Sequence, residues 1–456
     1  MRGLPKHFTL AFFVVFALFM LTRLYNLEHR ITFGWDQEQF SNQIWNVVKN
    51  HTFTLLGPRT NNDLGFFLAP YFTYMLIPLY LLTNMHPFAL YFFVVLMGLL
   101  FFALSYLTVS RIFSSRHALL FLFLWTFNPL AHMYDSIPWW PLYIPLGVMT
   151  VLFLFHYLHT NSKQLLIWAI LGLALGFFSN MHFQFVFMIF CAALFASYEI
   201  KGKGVPVKAV LVLGLGFLTT LVPLILFDIR HNFLNTQLLF NFFFTKIDVY
   251  ERDMFIWIIP FTHFMKSFTV FPITILMQIM YVLMFAIMAY LFFHTKSFQK
   301  VLYGIAASLW IFTPVFFGIY GKRPSEYYFI FLMPFILLAI TDFAIQKKRA
   351  VPLILTSLLL ALIHIAWFQK TVQTDYAGLI YKDQVVHYIK QQTKGREFFL
   401  SYDGVSIDNG FRYLLRLRGL QVSENEMAPL IEVSLPPRAG SHVIGKYGVT
   451  IPQSLK

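Results

Sequence analysis

Charged residues are scarce in this sequence. Only 12% of its 456 residues are Asp, Glu, Lys or Arg, and 58% are hydrophobic, whereas a soluble globular protein carries about 25% charged residues. Apolar runs recur between Phe8 and Phe368, and many approach the ~20 residues that span a bilayer. One soluble core does not need so many runs. The composition therefore argues against an ordinary soluble protein and indicates a multi-pass membrane protein in contact with the lipid bilayer.

Cysteine is almost absent as well. The single residue, Cys191, lies inside an apolar run, so no intramolecular disulfide can form. Lys and Arg are in excess, which gives a net charge of +14. They lie mainly in short breaks between apolar runs, so this charge indicates membrane orientation and contact with anionic lipid. We expect no nucleic-acid partner.

The apolar runs predict about eleven transmembrane helices. We place them near 8–26, 88–109, 118–134, 139–158, 164–179, 183–198, 209–227, 270–293, 301–320, 327–345 and 352–368. The first run resembles a signal peptide, but no small-residue cleavage site follows it, so we read it as an uncleaved span. With the N-terminus inside, the inner segments hold thirteen basic residues and one acid, Glu199. This distribution agrees with the positive-inside rule.

One further apolar run, 64–83, is excluded from these spans. Counting it would move Arg111, Arg116 and the basic residues 347–349 to the outer side, and Pro70 and Pro78 interrupt it. We therefore interpret this run as a juxtamembrane or re-entrant helix on the outer face, where protein or a wet cavity must cover any non-helical backbone.

The predicted fold class is an all-α polytopic membrane protein with outer juxtamembrane helices and a small C-terminal α/β extracytoplasmic domain. Residues 1–368 would form the transmembrane domain, with a first outer loop at 27–87, and residues 369–456 the C-terminal domain. A second outer loop covers 228–252. In the C-terminal domain the pattern predicts helices at 381–393 and 409–418 and a strand at 397–402.

Acidic residues mark two of the outer segments. Asp36 and Glu38 begin a stretch of helical spacing that runs to Lys49, and a helix N-terminus favours negative charge. Asp135 lies among aromatic residues in a tight hairpin between two spans. An aromatic belt explains the aromatic residues but not the acid. On the residues alone, acids that merely cap an interfacial helix are the simpler interpretation of the first segment.

Basic residues mark two more outer segments. Arg230 follows Asp228 where a span enters the second outer loop, which is equally typical of an ordinary polar boundary. Lys322 and Arg323 lie on the outer side, against the positive-inside trend, so an anionic ligand would explain them. A salt bridge to Glu326 or to the C-terminal domain is the alternative. All four segments fall at span ends on one face, which predicts an outward-facing site at the lipid–water boundary.

This arrangement resembles the GT-C glycosyltransferases related to protein O-mannosyltransferases and the aminoarabinose transferase of lipid A (glycosyltransferase family 39-like). GWDQEQF at 34–40 matches the position of the family's acidic motif, and 57–76 resembles the segment that follows it. PLILFDIRHNFLNTQ at 223–237 and GKRPSEYYF at 321–329 resemble further stretches of bacterial members. The likeness covers roughly residues 1–345. Gln37 separates the usual adjacent acids, and Gly57-Pro58-Arg59 replaces the usual Lys/His-Pro-Pro.

The resemblance implies transfer of a sugar from a polyprenyl-phosphate-linked donor to an acceptor hydroxyl at the outer face of the plasma (inner) membrane. Asp36 would be the catalytic acid, with Glu38 and Asp135 as further candidates. The residues expected to bind the donor phosphate are Arg59, Arg230, Lys322, Arg323, Tyr327 and Tyr328. The cofactor is left open, with Asp36 and Asp135 as candidates to hold a divalent metal. The acceptor would be a glycan, a lipid or a protein.

Three alternatives compete with sugar transfer. A polymerase or ligase of lipid-linked glycans would use the same donor and the same face, and the sequence separates it poorly. A lipid or glycan transporter (flippase) would need ionisable residues in the middle of its spans. The predicted spans contain few, and the acids lie in the outer loops. A non-catalytic scaffold would lack a cavity near Asp36.

Overall fold

The computed structural model describes residues 6–60, 65–244, 255–269, 274–320, 323–372, 378–404 and 410–455. The first helices are α1 (Lys6–Leu24), α2 (Leu27–Arg30), α3 (Trp35–Lys49), α4 (Tyr71–Leu82), α5 (Ala89–Ile112), α6 (Ser115–Phe127), α7 (Pro129–Tyr134), α8 (Tyr143–Thr160), α9 (Leu165–Met181), α10 (Val186–Lys203), α11 (Val207–Thr219) and α12 (Val222–Arg230). The later ones are α13 (Leu234–Phe244), α14 (Ile258–Lys266), α15 (Thr274–His294), α16 (Ser297–Tyr320), α17 (Met333–Gln346), α18 (Ala350–Val372), α19 (Leu379–Thr393) and α20 (Phe411–Leu417). Short 3-10 helices lie at Trp140–Leu142, Phe183–Phe185, Glu326–Leu332 and Gln453–Leu455.

The described part of each predicted span lies on one helix or on a broken pair of helices. Residues 270–273 of the predicted span 270–293 lie outside the described residues. Six helices of the described chain are long and apolar enough to cross a membrane, or seven if the bent pair α11–α12 is one span. The described apolar parts of α1, α9 and α18 are shorter than these six helices. The predicted span 118–134 is divided between α6 and α7. The all-α polytopic fold class is confirmed, while the count of eleven spans stays a prediction.

Local chemistry explains the break between α6 and α7. The side-chain oxygen of Asn128 accepts a hydrogen bond from the Ala131 N–H at 3.0 Å, and Pro129 occupies the first helical position of α7. An asparagine cap followed by proline is a strong helix start, so a new helix begins here. The break turns the chain into the hairpin that carries Asp135.

Within the run 64–83, of which residue 64 lies outside the described residues, Tyr71–Leu82 form the short helix α4, with Pro78 inside it. Its 12 residues extend about 18 Å at 1.5 Å per residue, against the ~30 Å thickness of the hydrocarbon core. α4 packs against α3, α5 and α9. A helix of this length favours the juxtamembrane interpretation of the run over a twelfth span.

Contacts between distant segments sort the helix ends into two sets. At the end that carries the first loop, side chains join Arg23 to Asp135, Gln37 to Pro138, Phe67 to Asn235, Tyr134 to Glu326 and Glu38 to Tyr413. At the opposite end they join Ile112 to Gln299, His117 to Asp342 and His159 to Glu199. Two segments that touch lie on the same side of a membrane. The chain must therefore cross an even number of times between α3 and α20, and the ten predicted spans between them satisfy this condition.

Glycines allow α9 and α11 to pack closely. A Cβ added at Gly172 would lie 2.0 Å from the Leu213 carbonyl oxygen, and one at Gly216 would lie 2.4 Å from the Ala169 oxygen. Gly172 and Gly176 form a G-x-x-x-G pattern on α9, which is a common device for close helix contact in membranes.

The C-terminal residues form a small α/β unit, as predicted. Four strands, β1 (Phe399–Asp403), β2 (Leu430–Ser434), β3 (His442–Ile444) and β4 (Tyr447–Thr450), pair in the order β1-β2-β4-β3. β1 and β2 are parallel and the other pairs antiparallel. The predicted helices correspond to α19 and α20 and the predicted strand to β1, whereas the later strands were not predicted. α18 extends to Val372, and the predicted boundary at 368/369 stays a prediction.

Candidate active site

The first turn of α3 is held by Gln37, the residue that separates the two acids. The Gly34 N–H donates to its side-chain oxygen at 3.0 Å, and its amide nitrogen donates to the Pro138 carbonyl at 3.3 Å. Gly34 has no side chain with which to cap the helix, so Gln37 ties the helix start to the hairpin that follows α7. This fixes the backbone on which Asp36 is carried. Sequence reasoning treated Gln37 only as a departure from a motif.

Asp36 differs from the other acids in its surroundings. Its side chain is half-buried, and none of the described residues donates a hydrogen bond to its carboxylate. Burial raises the pKa of Asp36 to about 6. It lies close enough to Tyr327 for the two groups to interact electrostatically. A carboxylate with this pKa can take up and release a proton near neutral pH.

Aromatic rings from three separate segments meet beside Asp36. We call this group the aromatic cluster; its members are Tyr134, Trp139, His182, Tyr327 and Tyr328. The ring centroids of Trp139 and Tyr327 are 4.8 Å apart, and those of Tyr327 and Tyr328 are 4.7 Å apart. His182 lies 5.8 and 5.4 Å from the two tyrosines, and Tyr134 stacks on Trp139 at 5.8 Å. The hairpin 128–145 and the segment 321–329 are therefore brought to one place.

Two polar groups of this region were not chosen from the sequence. The Tyr134 hydroxyl donates to Glu326 Oε1 at 2.6 Å, which adds a second carboxylate to the cluster. Burial lowers the pKa of His182 to about 3, so its imidazole is neutral. A signal for His182 was present, because polar residues at 180, 182 and 184 interrupt the apolar pattern where one predicted span ends and the next begins.

One oxygen of the Asp135 carboxylate is engaged by protein groups. Its Oδ2 accepts hydrogen bonds from Arg23 at 2.9 and 3.2 Å and from the Trp125 indole at 3.0 Å. Arg23 also donates to the Thr126 carbonyl at 2.8 Å. These contacts hold the hairpin against α1 and α6, and they favour a structural role. A catalytic role for Asp135 stays a prediction.

Glu38 faces the C-terminal domain. Its carboxylate accepts a hydrogen bond from the backbone N–H of Tyr413, in the first turn of α20, at 2.7 Å, and its side chain is buried. A role for Glu38 as a second catalytic acid is untested, but its contact points away from that role.

Arg59 lies in the first loop, where it forms an isolated antiparallel bridge with Phe67. Its Nε donates to the Gly65 carbonyl at 2.7 Å, and its guanidinium stands 5.3 Å from the Phe67 ring centroid. Phe67 is fixed by Asn235, whose side-chain oxygen accepts from the Phe67 N–H at 2.7 Å. The Asp228 carboxylate in turn accepts from the Asn235 N–H at 2.7 Å. Asp228 therefore anchors the start of α13 and, through it, the turn that carries Arg59.

A second group of aromatic rings packs together the segments that carry the basic residues predicted to bind the donor phosphate. Its members are Phe66, Phe183, Phe242, Phe243 and Tyr320. Phe66 belongs to the Arg59 turn, Tyr320 ends α16 shortly before Arg323, and Phe183 adjoins His182. Arg230, at the end of α12, and Arg323 are exposed. Lys322 lies outside the described residues.

A small cavity lies one turn along α3 from Asp36. It is a shallow, partly open pocket lined by Gln39, Phe40, Gln43, Pro58, Phe72 and Trp140. Residues 36, 39, 40 and 43 share one face of a helix, and Pro58 adjoins Arg59. The cavity therefore links the acidic helix with the turn that carries Arg59.

The described residues do not fit a resident metal. They contain no group of three or more His, Cys, Asp or Glu side chains placed to hold an ion. Of the Asp135 carboxylate, Oδ2 accepts from Arg23 and Trp125.

Comparison with solved structures identifies the architecture. ArnT from Cupriavidus metallidurans, solved with undecaprenyl phosphate, matches with a TM-score of 0.60 and 15% identity over 98% of each chain. Its apo state matches with a TM-score of 0.60 and 14% identity, again over 98% of each chain. The chain has the GT-C fold.

More distant solved structures share this fold. The apo oligosaccharyltransferase of Archaeoglobus fulgidus matches with a TM-score of 0.51 and 14% identity, over 92% of this chain and 65% of that one. No protein-family model matches the sequence, and no curated protein matches it significantly. The resemblance drawn from the sequence is thus confirmed, and identities of this size demonstrate the fold alone.

Proposed function

We propose that this protein is a membrane glycosyltransferase that moves a sugar from a polyprenyl-phosphate-linked donor to an acceptor hydroxyl. The observation that carries the proposal is Asp36. Its carboxylate is half-buried, and none of the described residues donates a hydrogen bond to it. Burial raises its pKa to about 6. It lies beside the aromatic cluster in a chain with the GT-C fold. A hydroxyl is a weak nucleophile, and a nearby base of this pKa is suited to take its proton.

In the proposed reaction the acceptor hydroxyl gives its proton to the Asp36 carboxylate. The acceptor oxygen bonds to the anomeric carbon as the bond from that carbon to the phosphate oxygen breaks. The bonding electron pair leaves with the polyprenyl phosphate, so negative charge grows there. Guanidinium and ammonium groups stabilise such charge. The candidates for this task are Arg59, Arg230, Lys322 and Arg323, with Tyr327 and Tyr328 as hydroxyl donors.

Two features support the donor class. ArnT, which shares the fold over nearly the full chain, was solved with undecaprenyl phosphate, and the apolar spans here offer lipid-facing surface beside the site. The contacts between the first loop and the C-terminal domain support a common side for both, and the distribution of basic residues favours the exterior for that side. We therefore propose an outer-face reaction at the plasma membrane.

Transfer of a lipid-linked glycan is the second candidate, because oligosaccharyltransferase shares the fold. Both candidates predict a lipid-phosphate donor. Mass spectrometry of lipids that copurify with the Asp36→Asn variant tests the donor, since a variant that binds but does not transfer should retain it. An intact polyprenyl-phosphate monosaccharide supports the first candidate, and a polyprenyl-linked glycan supports the second. Undecaprenyl phosphate added as a competitor should displace either lipid; failure of a bound lipid to be displaced would contradict the proposal.

A further inference from the structure

Asp36 and Glu38 lie on opposite faces of α3. Two residues along a helix correspond to a rotation of about 200°. Asp36 interacts electrostatically with Tyr327 of the aromatic cluster, whereas Glu38 contacts the backbone of Tyr413. Glu38 therefore cannot share the acceptor with Asp36, and its contact with the C-terminal domain calls for a different role.

The contact between Glu38 and Tyr413 provides the N-terminal cap that α20 otherwise lacks. α20 begins after Gly410, which has no side chain with which to accept a hydrogen bond. The Tyr413 N–H in the first turn donates instead to Glu38 at 2.7 Å. Such N–H groups have no partner within their own helix, and the partial positive charge of a helix N-terminus favours a carboxylate. The acidic helix of the first loop thus caps a helix of the C-terminal domain.

Further buried contacts follow the same interface. The Lys382 ammonium donates to the Phe33 carbonyl at 2.7 Å, and Lys382 is 4% exposed. The Tyr413 hydroxyl donates to the Met85 carbonyl at 2.6 Å. Buried polar groups at this depth are costly when unpaired, so the interface is favourable only when all of these contacts form together.

We propose that Glu38 is a positioning residue through which the C-terminal domain holds the first turn of α3, and with it Asp36, in the geometry needed for transfer. This inference rests on the proposed function. On its other side the same turn is held by Gln37 and Pro138. The turn is therefore clamped between the hairpin and the C-terminal domain, and the domain is a working part of the site.

Paired variants at Glu38 test this in the full chain reconstituted in lipid nanodiscs. The probe is a synthetic polyprenyl-phosphate hexose that the wild type consumes. Glu38→Gln keeps an oxygen that accepts from the Tyr413 N–H, so its kcat should stay within about threefold of wild type. Glu38→Ala should lower kcat about tenfold or more, with KM changed less than about twofold. Hydrogen exchange of residues 35–41 should rise in Glu38→Ala alone.

Two glycines supply an independent pair of variants. Gly410 and Gly440 both have left-handed backbone, at φ +85° and +82°. A Cβ at Gly410 would lie 2.4 Å from the Phe33 carbonyl oxygen, whereas one at Gly440 would meet nothing within 4 Å. Both substitutions to alanine strain the backbone, but only Gly410→Ala presses the domain away from the first loop. Gly410→Ala should therefore lower kcat as Glu38→Ala does, and Gly440→Ala should not.

Wild-type kcat and unchanged exchange in Glu38→Ala would overturn the positioning role, as would equal losses in Gly410→Ala and Gly440→Ala. Asp36→Asn separates this failure from failure of the proposed function. If Asp36→Asn is inactive while Glu38→Ala is fully active, only the positioning role is lost. If Asp36→Asn is active, the proposed function itself fails.

Discussion

The carboxylate of Asp36 is the group on which the proposed chemistry depends, and partners distinguish it from the other two candidate acids. Asp135 is held by Arg23 and Trp125, and Glu38 by the Tyr413 backbone. No described residue hydrogen-bonds Asp36. A base must keep a lone pair available for the acceptor proton, and Asp36 meets this condition.

Proton transfer to Asp36 should give transfer a pH dependence. Because burial raises the pKa of Asp36 to about 6, the carboxylate is protonated below that pH and cannot act as a base. The kcat should therefore rise with pH through about 6 and level off above it. Turnover measured between about pH 5 and pH 8 checks this. A flat profile across that range would contradict the assignment.

The buried ion pair of Arg23 and Asp135 should stabilise the folded protein. Removing one partner of a buried ion pair leaves an uncompensated charge and costs about 3–5 kcal/mol. Asp135→Ala should therefore lower the thermal unfolding midpoint of the purified protein strongly. In the double variant Arg23→Met with Asp135→Leu, part of this loss should be regained. An Asp135→Ala protein that unfolds like wild type yet is inactive would instead favour the catalytic role predicted from the sequence.

The sequence could indicate Asp36 because acids are rare in so apolar a chain and this one begins a helical pattern. The family resemblance ranked Asp36 first, but the residues alone could not separate it from Glu38 or Asp135. The Tyr413 backbone that holds Glu38 and the Arg23 side chain that holds Asp135 lie 375 and 112 positions away, so no local pattern records them. Gln37 was likewise misjudged, because the hydrogen bond from its amide nitrogen to the Pro138 carbonyl spans 101 positions.

At the level of elements, the length of the apolar runs predicted the helices but did not predict the short strands. Every predicted span lies on helical segments because about twenty apolar residues leave few other structures in lipid. β2, β3 and β4 have five, three and four residues, which is too short for a reliable alternating pattern. α13 was missed because it lies in a segment that we assigned to an outer loop.

Close packing of α9 and α11 should make Gly216 intolerant of a methyl group. Gly216→Ala would press a Cβ toward the Ala169 oxygen at 2.4 Å, and overpacking of this kind typically costs about 1–3 kcal/mol. Gly214→Ala is the matched control, because it lies on the same helix and its Cβ would meet nothing within 4 Å. Thermal unfolding should be lowered only in Gly216→Ala; equal midpoints would contradict the packing account.

For the whole molecule, the number of membrane crossings decides which segments lie on the same side. The first loop touches the C-terminal domain through Glu38 and Lys382, so an even number of crossings separates them. The sequence reached the same arrangement by excluding 64–83 on charge distribution. The structure adds a separate reason, since α4 is only 12 residues long.

Labelling of single cysteines should reveal the two sides. The buried Cys191 is first replaced by alanine. In right-side-out vesicles, a membrane-impermeant maleimide should modify His51→Cys and Met427→Cys, which lie on exposed parts of the first loop and the C-terminal domain. Lys201→Cys and Lys296→Cys should react only after permeabilisation. If Met427→Cys reacts together with Lys201→Cys, the predicted topology is wrong.

The central claim, that Asp36 is the base of a sugar transfer, is tested most directly by turnover of Asp36→Asn. The pKa of Asp36 is higher in the folded state than in the unfolded state. Ionisation of Asp36 therefore lowers the free energy of unfolding as the pH rises toward 6. The neutral amide should therefore unfold no earlier than wild type at pH 7. We predict a folded variant that binds undecaprenyl phosphate but consumes polyprenyl-phosphate sugar at least about a hundredfold more slowly. Turnover near the wild-type rate in that variant would contradict the account.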